Sequence, residues 1–236
     1  MHQLNTSEEN LLSEPDSFCF DCNDALPCFT QCCRDVNIYL TPYDILRLRK
    51  VLGTGSSEFL SKYTQSFLAK TANIPVVQLL MDPQKLSCPF VTEAGCSVYE
   101  NRPWACRMFP LDLSTVDGKY RLIAGKERCK GLLERSSRTV SDWLEGQGVA
   151  EYVEMDQEFQ TVMPKRFKPG APMNEGLGKI LFMAYDLDRF EEILKDGRLL
   201  KFYEVDEQML QAARENGEEL LKLAFRYIRA QMEELY

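Results

Sequence analysis

Histidine is almost missing from this chain: 236 residues contain one, His2, in a polar N-terminal stretch. Without a histidine inside the fold there is no Ser-His-Asp triad, no Cys-His dyad and no H-E-x-x-H zinc protease site. Any metal shell must therefore be rich in sulfur, with oxygen as the other available donor. Net positive charge is missing too. A formal charge of −8 argues against sequence-independent nucleic-acid binding and against docking on anionic lipid, since both draw on Lys and Arg. No run approaches the roughly eighteen apolar residues of a membrane span. The opening MHQLNTSEENLLSEPDS carries acids where a signal peptide has a basic start and then an apolar run. The expectation is a cytoplasmic chain with neither a nucleic-acid nor a membrane partner.

What the chain has in abundance is cysteine, nine residues in all, on a background of 44% apolar and 27% charged residues that can bury a sizeable core. In a reducing compartment structural disulfides are rare, and an odd count fits a disulfide framework poorly. Metal ligation or redox work is then the expected use. The cysteines fall as Cys19, Cys22, Cys28, Cys32 and Cys33, then Cys88, Cys96 and Cys106, then Cys129, with none beyond. The acidity lies in the other half: residues 131–236 carry 21 acids and 14 bases, whereas residues 1–130 carry 15 and 14. These shifts predict a flexible arm over 1–17, a cysteine-cluster metal-binding domain over 18–130 and a helical C-terminal region over 131–236. The fold class expected is mainly α with short strands, a small α+β protein whose metal-organised, cysteine-rich N-terminal half packs with the helical C-terminal half.

Thr41-Pro42-Tyr43-Asp44 reads as a helix start with a Thr cap, Pro at the first position and a capping-box acid. Ile45, Leu48 and Leu52 share a face, and Gly53 ends the helix. The stretch Leu52-Gly53-Thr54-Gly55 lacks the third glycine of a dinucleotide fingerprint and reads as a helix stop. Ser56 or Ser57 can cap a second helix carrying Phe59, Leu60, Tyr63 and Phe67. Pro75 to Met81 reads as a short buried strand, and residues 111–124 as a hairpin turning at Asp117-Gly118. Beyond 130 the pattern is helical from near Ser141. Met163 to Pro172 is a Pro-rich basic connector, and Leu221, Phe225, Ile228, Met232 and Leu235 form a core-facing stripe on the last helix.

The first cysteine group has the spacing Cys22-x5-Cys28-x3-Cys32-Cys33. Short loops bring thiols toward one point, about 2.3 Å from a zinc ion, at small entropic cost. Adjacent cysteines such as Cys32 and Cys33 usually point apart, so they suit two metals or opposite sides of one cluster. Cys19, between Phe18 and Phe20, reads as a packed thiol outside the ligand set. Pro103 can open a helical turn that places Cys106 near backbone N–H groups, favouring thiolate. Arg34 and Arg107 each follow a cysteine and could offset the charge of a thiolate-bound metal, whereas Arg102, Arg121 and Arg128 fit solvated positions as well. Neither a bacterial ferredoxin spacing nor a thioredoxin-like βαβ setting surrounds these cysteines.

Phe20-x-Cys22, Cys28-Phe29-x2-Cys32-Cys33, Leu40-Thr41-Pro42-Tyr43-Asp44, Glu58-Phe59-Leu60, Cys88-Pro89-Phe90 and Cys96-Ser97-Val98-Tyr99-x2-Arg102-Pro103-x2-Cys106-Arg107-x-Phe109-Pro110 resemble the YkgJ-type cysteine-cluster family. That family is described as a zinc- or iron-chelating domain with eight characteristic cysteines. The resemblance covers about residues 18–130, and it implies Cys22, Cys28, Cys32, Cys33, Cys88, Cys96, Cys106 and Cys129 as metal ligands. Its usual first motif, C-x2-C-x2-C-C, is stretched here. Flagellin lysine-N-methylases carry a related cysteine domain, so the resemblance also admits an iron–sulfur-dependent modifying enzyme. The expected function is a metal-chelating protein whose cofactor is zinc or an iron–sulfur cluster, with no catalytic residue identified. A zinc-stabilised scaffold with a protein partner on the C-terminal helices is the other alternative. A structural zinc contributes roughly 10 to 16 kcal/mol, on the scale of a whole domain's net stability.

Overall fold

The computed structural model describes residues 11–69, 74–168 and 175–235. The first ten residues of the expected arm and the Pro-Gly-Ala-Pro end of the basic connector lie outside them. Pairing begins at Leu12, whose amide donates to the Tyr120 carbonyl at 2.8 Å, and β1 (Ser17–Cys19) runs antiparallel to β9 (Ser137–Thr139).

Helix α1 (Pro42–Leu52) starts as its sequence demands. The Thr41 side chain accepts from the Asp44 amide, Asp44 reciprocates at the Thr41 amide, and Gly53 closes the helix at φ 65°. Helix α2 (Ser56–Tyr63) has Gly55 at its cap, not a serine. The Ser56 hydroxyl instead accepts from the Asp188 amide and donates to Asp186, while Ser57 donates to Asp186. Phe67, expected on this helix, lies in β3 (Thr64–Leu68), the edge of a three-stranded antiparallel sheet ordered β2 (Tyr39–Leu40), β4 (Pro75–Leu79), β3. The two-residue hairpin β5 (Val91–Thr92) and β6 (Gly95–Cys96) precedes the short helix α3 (Trp104–Met108). The hairpin β7 (Leu111–Leu113) and β8 (Tyr120–Leu122) turns with Gly118 at φ 65°.

After β9 the described chain is helical: α4 (Val140–Gly146), capped by a second reciprocal box of Thr139 and Asp142, then α5 (Ala150–Gln160), α6 (Glu175–Phe182), α7 (Leu187–Ile193), α8 (Gly197–Phe202), α9 (Glu207–Glu215) and α10 (Gly217–Leu235). The expected stripe on α10 holds for Leu221, Phe225, Ile228 and Met232, all buried; Leu235, at the helix end, is exposed. The small α+β class is what the elements compose.

Two apolar cores result. The larger joins α1, α2 and the three-stranded sheet to α5, α6, α7 and α10 through Ile45, Leu48, Phe59, Val77, Leu181, Phe190, Phe225 and Ile228. The smaller gathers Phe18, Phe20, Met108, Leu111, Cys129, Leu132, Val140, Trp143 and Val149. Its centre is aromatic: Phe20 meets Trp143 edge-on with ring centroids 5.2 Å apart. The boundary expected at 130 therefore runs through both cores. Cys88, Cys96 and Trp104 pack on the larger core and Cys129 belongs to the smaller, with Trp104 touching both. The cysteine segments occupy the seam.

Candidate metal centre

All nine cysteines are free thiols. Cys19 stands apart, although not for the reason its neighbours suggest. Strand alternation turns Phe18 and Phe20 into the smaller core and leaves the Cys19 side chain exposed. It is a surface thiol, not a packed one.

Backbone pairing carries the others toward one another. The Phe20 amide donates to the Ser136 carbonyl and the Asp21 amide to the Gly131 carbonyl at 3.1 Å, which lays the Cys22 segment across the loop that follows Cys129. This approach needs glycine at 131, because a Cβ there would stand 2.3 Å from the Asp21 carbonyl oxygen. The Lys130 amide donates to the Cys28 sulfur at 3.2 Å, tying Cys28 to the same loop. Cys32 and Cys33 sit in a single 3-10 turn, Gln31–Cys33, with their sulfurs 4.0 Å apart. Thr30 before the turn and Asp35 after it both adopt left-handed backbone, at φ 63° and 51°. A β-branched residue there is strained, and such strain persists where the surroundings hold it in place. On the other side, the Cys88 amide donates to the Cys33 carbonyl at 2.8 Å, and Arg34 bridges Ser87. Cys96 lies opposite Val91 in the β5–β6 hairpin, whose entry turn is closed by the Val91 amide on the Cys88 carbonyl at 3.2 Å.

Cys106 arrives on α3, which is fastened to α1: the Trp104 amide donates to Asp44 Oδ1 at 2.7 Å. Asp44 is wholly buried, and its other oxygen accepts the Thr41 amide at 2.8 Å. Burial pushes its carboxyl up to about 6 against the opposing pull of those hydrogen bonds. The capping-box pattern shows this residue in the sequence, but not its second job of anchoring the Cys106 helix.

The thiols repel one another. Cys22 reaches solvent yet is flanked by protein; partial desolvation, then the charges of Cys32, Cys28 and Cys129, push it up to about 11. Cys129 is raised by burial and then by Cys28 and Cys32. Cys106 is raised by burial first and by Cys88, Asp44, Cys96 and Cys32 after it. The favourable helix-start setting expected for Cys106 is thus outweighed by desolvation. Cys32 goes the other way, down to about 7, because Cys33 hydrogen-bonds to it and Arg128 lies near; Cys33 is correspondingly pushed up. A divalent cation would reverse the repulsion, since it stabilises the deprotonated thiols it binds.

Arg107 and Arg102 take roles other than those expected. Arg107 is buried and spends its donors on the carbonyls of Arg102, Gln147 and Glu100, its guanidinium 4.6 Å from the Tyr152 ring centroid. Arg102, which could have been solvated, is buried; after the Val98 backbone hydrogen bond, its charge offsets part of the desolvation that leaves the Cys96 thiol raised. The charge of Arg128 likewise opposes desolvation at Cys32, and its guanidinium donates to the Arg34 carbonyl at 3.0 Å. Arg121 and Arg128 are both exposed, as solvated positions require, and Arg121 pairs with Asp112 at 2.8 Å.

Among the described residues the available soft donors are thiols with no imidazole beside them, a chemistry that suits a soft, thiophilic metal. Among the described residues no three His, Cys, Asp or Glu side chains are gathered closely enough to hold an ion as they stand. Away from the thiols, an open cleft of about 910 Å³ is lined by Arg47, Arg49, Lys50, Asn101, Glu215 and Glu218 and contains no cysteine. Among the described residues no helix is long and apolar enough to cross a membrane.

No curated protein and no solved structure matches the chain. A family model does, and the matched stretch begins at Asp21, just before Cys22, and runs past Cys129 to Arg135. Residues 21–135 match the model of the CxxCxxCC family, described as "Putative zinc- or iron-chelating domain".

Proposed function

We propose that this protein binds a thiophilic metal, zinc or an iron–sulfur cluster, through Cys22, Cys28, Cys32, Cys33, Cys88, Cys96, Cys106 and Cys129. The observation that carries the reading is the convergence, by backbone hydrogen bonds, of cysteine segments far apart in the chain onto the seam between two cores. These segments have little regular structure of their own: strands of two residues, a three-residue turn and a five-residue helix. A metal that cross-links them stabilises the seam by an amount comparable with the rest of the fold, roughly 10 kcal/mol or more. Thiolate ligation supplies charge compensation and, for an iron–sulfur cluster, electron transfer. Arg102 and Arg128 offset part of the negative charge. Unpaired thiols in this number go with a reducing compartment.

Anaerobic purification followed by elemental and sulfide analysis tests the reading. Bound zinc, or iron with sulfide, at a fixed ratio to protein supports it. Metal-free protein whose nine thiols all react freely with an alkylating reagent overturns it.

A further inference from the structure

We infer that the eight thiols form two separate centres of four, Cys22, Cys28, Cys32 and Cys129 in one and Cys33, Cys88, Cys96 and Cys106 in the other, divided between the adjacent residues Cys32 and Cys33. This division rests on the metal-binding reading above and goes beyond it by assigning each ligand to a centre.

Three geometric observations converge. Cys28 is fastened to the loop that follows Cys129 through the Lys130 amide, and Asp21, next to Cys22, is fastened to it through the Gly131 carbonyl. Cys88 is hydrogen-bonded to Cys33 itself, and the turn that begins at Cys88 leads into the hairpin bearing Cys96. The two sets also face different cores: Cys129 is part of the smaller one, while Cys88 and Cys96 pack on the larger. The Gln31–Cys33 turn joins them. At about three residues per turn, successive side chains of a 3-10 helix leave its axis about 120° apart, so neighbours in such a turn serve different partners more readily than one.

Each centre then offers four sulfurs, the coordination number of a structural zinc site. Each thiol that binds gives its proton to solvent.

Native mass spectrometry of the full chain, reconstituted anaerobically with zinc alone, reads the division directly. The wild type is expected to hold two zinc ions, and Cys28→Ser and Cys88→Ser one each. The double variant within a set, Cys28→Ser with Cys129→Ser, keeps one ion. The double variant across sets, Cys28→Ser with Cys88→Ser, keeps none. Loss of both ions in either single variant, or in the within-set double, overturns the two-centre assignment while leaving metal binding intact. A wild type that takes up no zinc and purifies without iron overturns both. Should the variants fail to fold, alkylation of wild-type protein loaded with one equivalent serves instead. Protection confined to one set of four supports the division, and protection mixing the sets refutes it.

Discussion

Asp44 is a buried carboxylate whose two oxygens serve two different helices, and its replacement gives the sharpest test of how the seam is held. Asp44→Ala strips the acceptor from both the Thr41 and Trp104 amides, which it meets at 2.8 and 2.7 Å. An orphaned buried N–H costs about 1 to 3 kcal/mol, so the loss is roughly 2 to 6 kcal/mol. Asp44→Asn keeps the volume and one acceptor but turns an amide NH2 toward the other donor, and falls between. The charge itself is separable through pH. The folded protein holds this proton up to about 6, against an ordinary value of 3.8. Between those values the folded state binds more protons than the unfolded, so its contribution to stability falls as pH rises through the window. The whole effect is about 3 kcal/mol. Urea unfolding of wild type and Asp44→Asn, followed by tryptophan fluorescence, measures it. The wild type's advantage should shrink by about 2 kcal/mol between pH 4 and pH 7, with acid effects on the thiols common to both proteins. An advantage that stays constant across that range refutes a burial cost on the Asp44 carboxylate.

Four further outcomes are expected. Gly131→Ala forces a Cβ against the Asp21 carbonyl oxygen and should cost about 1 to 3 kcal/mol in urea unfolding, with reduced metal content if the Cys22 segment lifts away. Phe225→Ala, in the middle of the buried stripe of α10, should cost about 3 to 5 kcal/mol. Leu235→Ala, at an exposed position, should stay within about 0.5 kcal/mol in the same experiment. Cys19→Ser, which alters only a surface thiol, should leave metal content unchanged by elemental analysis, and any loss would put Cys19 among the ligands.

The elements that were legible in the sequence are those governed by local chemistry. The α1 capping box, the Gly53 stop, the Asp117-Gly118 turn and most of the α10 stripe all follow from contacts within a few residues of one another. What the sequence hid depends on pairing at a distance. No local signal says that β1 will meet β9, that Ser56 will spend its hydroxyl on Asp186 and Asp188, or that Gly131 admits the Asp21 carbonyl. Cys19 was misread because two flanking phenylalanines suggest a packed thiol, whereas on a strand they bury themselves and turn it outward. Arg107 was misread for a related cause: adjacency in sequence picked it out, while Arg102 and Arg128 are the guanidinium groups that the fold brings near Cys96 and Cys32. The eight proposed ligands could be named from spacing and resemblance, but their division between two centres needed the backbone pairing around Cys33, Cys88 and Gly131.

The central claim is that these thiols hold metal. An anaerobic absorption spectrum of freshly purified protein with elemental and sulfide analysis tests it most directly. A stoichiometric complement of zinc in a colourless protein, or of iron and sulfide with broad visible absorbance, is the expected result. Protein free of both metals, with every cysteine open to alkylation, would contradict it.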